Sequence, residues 1–145
     1  MLDHEPMTQL TEEQCWELLE KHEFGRLAFH LVGEVHITPI NYTVDSERLV
    51  FRTAEGSKLL GVVMNDDVAF EIDDIDDEQA TSVVLRGTAE VLEGSDRDAV
   101  DSLPLRPWVD TSKSIVVAIK PSEITGRRFE LHRPWLQSRP EDDEQ

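Results

Sequence analysis

The sequence predicts a mainly β domain with short helices, built as a six-stranded antiparallel barrel. Three observations predict it. Apolar and polar residues alternate along several segments between residues 27 and 93, the period of a half-buried strand. Turn-forming residues separate consecutive strands at hairpin spacing, as in Val32-Gly33-Glu34 and Asp45-Ser46-Glu47-Arg48. Helical patterns fall only at the start, after the third strand and before the last. The strands therefore run in hairpin order, and closure into a barrel removes the edges that an open sheet exposes.

Residues 1–10 read as a polar leader. Thr11-Glu12-Glu13-Gln14 is a capping-box pattern with Leu10 and Cys15 as a staple pair, and it opens a helix from about Thr11 to His22 with Trp16, Leu18 and Leu19 facing inward. Leu27, Phe29 and Leu31 then alternate with Arg26, Ala28 and His30 in the first strand. The second, Val35 to Val44, contains Pro39, which cannot donate to a ladder. It marks an edge, a bulge or a place where a ligand replaces the neighbouring strand. In the third strand, Leu49 to Thr53, Leu49, Phe51 and Thr53 share a face and Arg52 points to the other. A helix opening at Ser57 is expected to end near Asn65-Asp66-Asp67.

Val68 to Asp73 and Ser82 to Glu93 both alternate cleanly, the second with Val83, Leu85, Gly87, Ala89 and Val91 on one face. A short helix around Ser95 to Ser102 precedes Ser114 to Ile119, whose continuous apolar run suits a strand covered on both faces. Pro121 is expected to end that strand, and Arg127-Arg128-Phe129 is a candidate for one more. Residues 11–130 form a single domain. Residues 131–145 form a tail whose acidic end, Pro140 to Gln145, is expected to be disordered.

The 145-residue chain carries 31 Asp and Glu against 14 Lys and Arg, a formal charge of −17. Nucleic acid and anionic membranes are recognised by clustered Lys and Arg, so both are excluded as partners. Cys15 is the only cysteine, which rules out an intrachain disulfide and a cysteine-rich metal site. Inside a helix it reads as a small buried hydrophobe. No apolar run reaches the ~18 residues of a membrane span, and no apolar signal segment follows the first residues, so a cytoplasmic protein is expected.

Against that acidic background Arg52 and Lys58 stand close together in Phe51-Arg52-Thr53-Ala54-Glu55-Gly56-Ser57-Lys58. A strand ending in a hydroxyl, a glycine turn and a Ser-capped helix start suit a phosphate. The first helical N–H groups are unpaired, the helix dipole favours an anion there, and Arg and Lys add charged donors. The pattern is neither a Walker A loop nor a dinucleotide fingerprint.

The stretch resembles the phosphate-holding segment of the pyridoxamine 5′-phosphate oxidase-like family, the FMN-binding split barrels. In that family a Tyr/Arg-Thr pair at a strand end is followed by a Ser/Arg-Lys helix start that grips the FMN phosphate. Arg52, Thr53, Ser57 and Lys58 match it. Thr38-Pro39-Ile40-Asn41-Tyr42 resembles the strand whose backbone runs beside the isoalloxazine ring. The resemblance spans roughly Leu10 to Arg128 and implies a six-stranded split barrel, a homodimer with each flavin in a groove between chains, and cofactor contacts from Pro39, Ile40, Asn41, Tyr42, Arg52, Thr53, Ser57 and Lys58. It also brings Trp108 of the partner chain toward the flavin, although packing over its own barrel end would use the same residue. The Val/Ile-rich last strand and the Arg86-Gly87 strand suit either the dimer interface or an intramolecular core.

The implied activity is an FMN-dependent oxidoreductase acting on a small organic substrate, with no catalytic side chain required. A flavin carrier or sensor and an F420-dependent reductase are the alternatives. Longer relatives that make pyridoxal phosphate carry a C-terminal Arg-x-His segment. Here the tail offers Leu131-His132-Arg133-Pro134-Trp135, a departure that argues against that substrate.

Other clusters point to blander roles. The acidic run Glu71 to Glu78 lacks the glycine and ligand spacing of a calcium loop and reads as a solvated turn. His30 and His36 flank one turn without a third metal ligand. Gly126-Arg127-Arg128 could reach a second phosphate or pair with nearby carboxylates, and no hydrolase elbow surrounds Ser114 or Ser122.

Overall fold

The structure is a computed structural model that describes residues 7–54, 67–100 and 115–132. Its elements are β1 (Met7–Gln9), α1 (Glu12–Lys21), β2 (Phe24–Leu31), β3 (Glu34–Asn41), β4 (Thr43–Val44), β5 (Leu49–Thr53), β6 (Asp67–Ile75), β7 (Gln79–Val91), α2 (Gly94–Val100) and β8 (Ile115–Glu130). The strands form one antiparallel sheet in the order β3-β2-β6-β7-β8-β5-β4, with β1 added to β8. The helix predicted from Ser57 lies outside the described residues.

The capping box forms as predicted. The Gln14 N–H donates to Thr11 Oγ1 at 3.1 Å and the Thr11 N–H to Gln14 Oε1 at 2.8 Å. Cys15 and Leu19 are the buried residues of α1. The helix lies close over β8 at Gly126, where a Cβ would stand 2.7 Å from Cys15 Sγ, and the Leu10 N–H donates to the Gly126 carbonyl. The Cys15 thiol is pushed up by burial and then by Glu12, which keeps it protonated and unreactive.

Eight strands stand among the described residues where six were expected. Part of the difference is Met7–Gln9, which pairs with Phe129, Arg128 and Arg127. The rest lies at Tyr42, which divides the expected Val35 to Val44 strand in two. Its ring is 2 % exposed, its hydroxyl donates to the Leu19 carbonyl at 2.7 Å, and it packs edge-on against Phe70 at 4.9 Å. Its N–H donates to the Glu23 carbonyl. On one side of this hinge β3 pairs with β2, and on the other β4 pairs with β5. The two ends of the sheet path, β3 and β4, are thus consecutive in the chain. The sheet curls round on itself without a ladder between its ends, so the barrel is split rather than closed by hydrogen bonds.

Pro121 does not end its strand. Ile115 to Ile119 and Arg127-Arg128-Phe129 belong to one strand, β8, with a register shift opposite Arg86 and Gly87. A bulge places the proline, which lacks an N–H, where the ladder is already broken. Gly87 makes room for it: a Cβ there would lie 2.1 Å from the Lys120 carbonyl oxygen.

Inside the barrel Leu27, Phe29, Phe51, Phe70, Leu85 and Ile119 pack into a single cluster. A second cluster joins Val50, Val116 and Ala118 of β5 and β8 to Leu92 and to Val100 of α2. The apolar run in β8 is therefore covered on both faces within one chain, which is the core reading of that strand.

Tyr42 is the only tyrosine, so its ionisation is directly readable. Burial, and then the Glu23 charge, hold its phenol above the ordinary value. The stability this confers is present in full below the unfolded value of ~10 and is lost as pH rises past it. Tyr42→Phe should lower stability by about 1 kcal/mol at neutral pH through loss of the bond to Leu19, and should flatten the fall above pH ~10. Urea midpoints at both pH values, with the phenol followed by near-ultraviolet absorbance, check this. An unchanged alkaline slope would contradict it.

Candidate functional site

The hinge at Tyr42 creates the most distinctive place in the fold. β4 and β5 pair only through Thr43↔Val50 and Val44↔Leu49, whereas β5 continues to Thr53 along β8. Before Thr43 the chain leaves β5 and runs as β3 beside β2, with Asn41 opposite Phe24 and Pro39 opposite Arg26. The segments 39–41 and 51–53 therefore diverge from one point, and the split in the barrel lies between them.

Six of the nine residues expected at the site from the sequence lie in the described part of the chain. Pro39 is exposed on β3, Ile40 is half-buried against the core, and Asn41 is half-buried at the end of the strand. The Tyr42 ring belongs to the core, so only its main chain borders the split. Arg52 is half-buried on the face opposite Phe51, as alternation requires, and Thr53 is 3 % exposed at the end of β5. The chain then passes to residues 55–66. Ser57, Lys58 and Trp108 lie outside the described residues.

One group beside the split was not singled out by sequence. Arg26, in register with Pro39, donates from Nη2 to Glu71 Oε1 at 2.6 Å and to Asp73 Oδ2 at 2.6 Å, with Nε also on Glu71 at 3.1 Å. The Glu71 hydrogen bond holds its guanidinium more firmly protonated. Alternation placed Arg26 on the outer face of β2, but its partners come from β6 and only the register brings them together.

The remaining clusters resolve into structural roles. His36 stacks on Phe29 at 5.3 Å, while His30 pairs with Val35 on the other face, so the two imidazoles do not converge. Among the described residues no group of three His, Cys, Asp or Glu side chains is arranged for a metal. The acidic run ends in a hairpin where Asp76 Oδ1 accepts from the N–H groups of Glu78 and Gln79 at 2.8 and 2.7 Å. Arg127 and Arg128 lie in β8 between β1 and β7. No helix among the described residues is long and apolar enough to cross a membrane.

A split antiparallel barrel with a filled interior, a capping helix and a strand pair diverging beside Arg52-Thr53 defines the class of this protein. A sequence profile of the family described as pyridoxamine 5′-phosphate oxidase matches residues 11–128, and the chain belongs to that family. It is 31 % identical over 130 residues to an uncharacterized protein of Mycobacterium tuberculosis, covering 85 % of this chain and 86 % of that one. Among solved structures it is similar to an FAD binding protein from Mycobacterium smegmatis, with 40 % identity, a TM-score of 0.78, and 86 % of this chain and 100 % of that one covered. A conserved protein of unknown function from Corynebacterium diphtheriae gives 34 % identity and a TM-score of 0.75 over 86 % of this chain and 99 % of that one.

Proposed function

We propose that this chain is a cytoplasmic flavoprotein that binds FMN at the split of its barrel, as a homodimer with two equivalent sites, and serves as an oxidoreductase for a small organic substrate. The observation that carries this reading is Arg52-Thr53 at the end of β5, next to the divergence of β3 from β5 and followed in sequence by Gly56-Ser57-Lys58, in a chain of this family. The fit to a flavin follows from packing. Phe51 and Phe70 are each 1 % exposed and the interior is full, so a three-ring group must lie outside the barrel. A groove shared by two chains buries far more of such a ligand than one surface does.

In this reading Arg52, Thr53, Ser57 and Lys58 hold the phosphate, and the main chain of Pro39, Ile40, Asn41 and Tyr42 orients the ring edge. Trp108 of the partner covers the open side. The bound flavin supplies the two-electron chemistry, and the protein supplies orientation, charge and exclusion of water. Similarity to the M. smegmatis FAD binding protein favours FAD as the second reading, since FAD presents a phosphate at the same distance from the ring. F420 and a carrier or sensor role are further outcomes of the same tests.

Lys58→Ala should weaken FMN by about 1.5–3 kcal/mol, the range for hydrogen bonds to charged groups, or roughly tenfold to a hundredfold. Riboflavin, which lacks the phosphate, should be nearly indifferent. Titration of both ligands against both proteins tests the grip, and equal losses would assign Lys58 to folding. Sedimentation with and without FMN tests the dimer. Added FMN should move dissociation to lower protein concentration, and a monomer carrying a full equivalent of flavin would contradict the shared site.

A further inference from the structure

Six large apolar side chains of the described residues stand exposed, and four of them, Phe24, Val32, Val35 and Ile37, belong to the β2–β3 hairpin. Single exposed apolar residues are ordinary, whereas several on one element mark a surface that something covers. Val35 and Ile37 are 83 % and 68 % exposed, and with Pro39 they form a ridge along the outer face of β3. At the hairpin tip Val32 has a φ of 53°, left-handed backbone that strains a β-branched side chain, so the apolar surface extends to the tip at a conformational cost.

Beside the ridge the sheet surface is low. Register sets Ile37 in a row with Ala28, Ala69 and Arg86, and Pro39 in a row with Arg26, Glu71 and Val84. Ala28 and Ala69 are short and half-buried, so a shallow apolar strip on β2 and β6 runs parallel to the ridge. Ridge and strip share one face, and a two-fold rotation lays the ridge of one copy on the strip of another.

Charge and position decide the occupant. The chain carries −17, so two copies repel over most of their surface, and a cationic partner would be drawn to the acidic surface elsewhere. This face is balanced. Arg26 is held by Glu71 and Asp73, and Arg86 stands exposed one row away, two cations against two carboxylates. Pro39 also ties the face to the split, where β3 diverges from β5, so a partner seated on the ridge stands beside the proposed flavin site. We infer that the outer face of β3, β2 and β6 is where two copies of this chain meet, the Val35-Ile37-Pro39 ridge of each seated on the Ala28-Ala69 strip of the other. The inference rests on the homodimer proposed above and gives it a surface. The face lies outside the core, so the folding of a single barrel does not draw on it.

Sedimentation of the full chain with saturating FMN, over a range of protein concentrations, is the test. Wild type should sediment as a dimer. Val35→Asp and Ile37→Asp should each raise the concentration at which half the chains are paired by about a hundredfold or more, because a two-fold interface buries each substitution twice and an unpaired buried carboxylate is costly. Ile75→Asp adds the same charge to a side chain that is 62 % exposed on β6, six residues from Ala69 or about 20 Å along the strand. It should leave the midpoint within about twofold of wild type. Far-ultraviolet circular dichroism confirms that each variant is folded, and either ridge variant alone suffices for the comparison. A wild type that stays monomeric would remove the homodimer and this face together. A dimeric wild type whose folded ridge variants pair as tightly, or an Ile75→Asp that weakens pairing as much as they do, would overturn the face and leave the homodimer reading in place.

Discussion

Phe70→Ala should cost about 3–5 kcal/mol of folding stability, the range for removing a buried aromatic ring from a core. The ring is 1 % exposed, meets Tyr42 edge-on at 4.9 Å, and lies so close to Gly25 that a Cβ there would be 2.4 Å from Phe Cζ. The space it fills sits between ladders on β2, β6 and β7, and those strands cannot close over a void without breaking register. Domains of this size are stable by only about 5–15 kcal/mol, so the variant should unfold at far lower urea. Ile37→Ala serves as the control. That side chain is 68 % exposed on β3, and its loss should cost no more than about 0.5 kcal/mol. A Phe70→Ala midpoint within error of the control would contradict the packed interior on which the external ligand site depends.

The second large effect is expected at Gly87→Ala. The added methyl would meet the Lys120 carbonyl oxygen at 2.1 Å and Pro121 Cα at 2.9 Å, both of which are backbone or fixed to it. No rotamer change relieves such a contact, so β8 must move away from β7 at the bulge. The cost should be about 1–3 kcal/mol or more, as for overpacking elsewhere. Ser122, whose hydroxyl donates to the Arg86 carbonyl at 3.2 Å, reports the displacement. Amide exchange should show protection falling over residues 123–130 while α1 keeps its own. Wild-type protection along β8 would show that the close approach is unimportant.

Features set by neighbours in sequence were legible before the structure. The Thr11-Gln14 cap, the turn at Val32-Gly33-Glu34 and the alternation of β2 and β7 each depend on residues a few positions apart. The break at Tyr42 was not, because its cause is contact with Leu19 and Phe70, and a strand pattern says nothing about which side chain turns inward to end a ladder. Pro121 misled for a related reason: proline ends strands unless a partner strand supplies a glycine opposite it, and Gly87 lies in β7. At the candidate site, Arg52 and Thr53 were visible from local chemistry. The split beside them is a property of topology, and Arg26 with Glu71 and Asp73 required the register of β2 with β6.

Whether this split barrel holds a flavin is decided by the absorption spectrum of the purified protein after incubation with excess FMN and removal of free ligand. The bands of oxidised flavin should be present at one equivalent per chain, bleached anaerobically by NADH or NADPH if the protein turns over. Bands present but unbleached would favour the carrier or sensor role. A chain that stays colourless after FMN and after FAD would mean that the split does not hold a flavin.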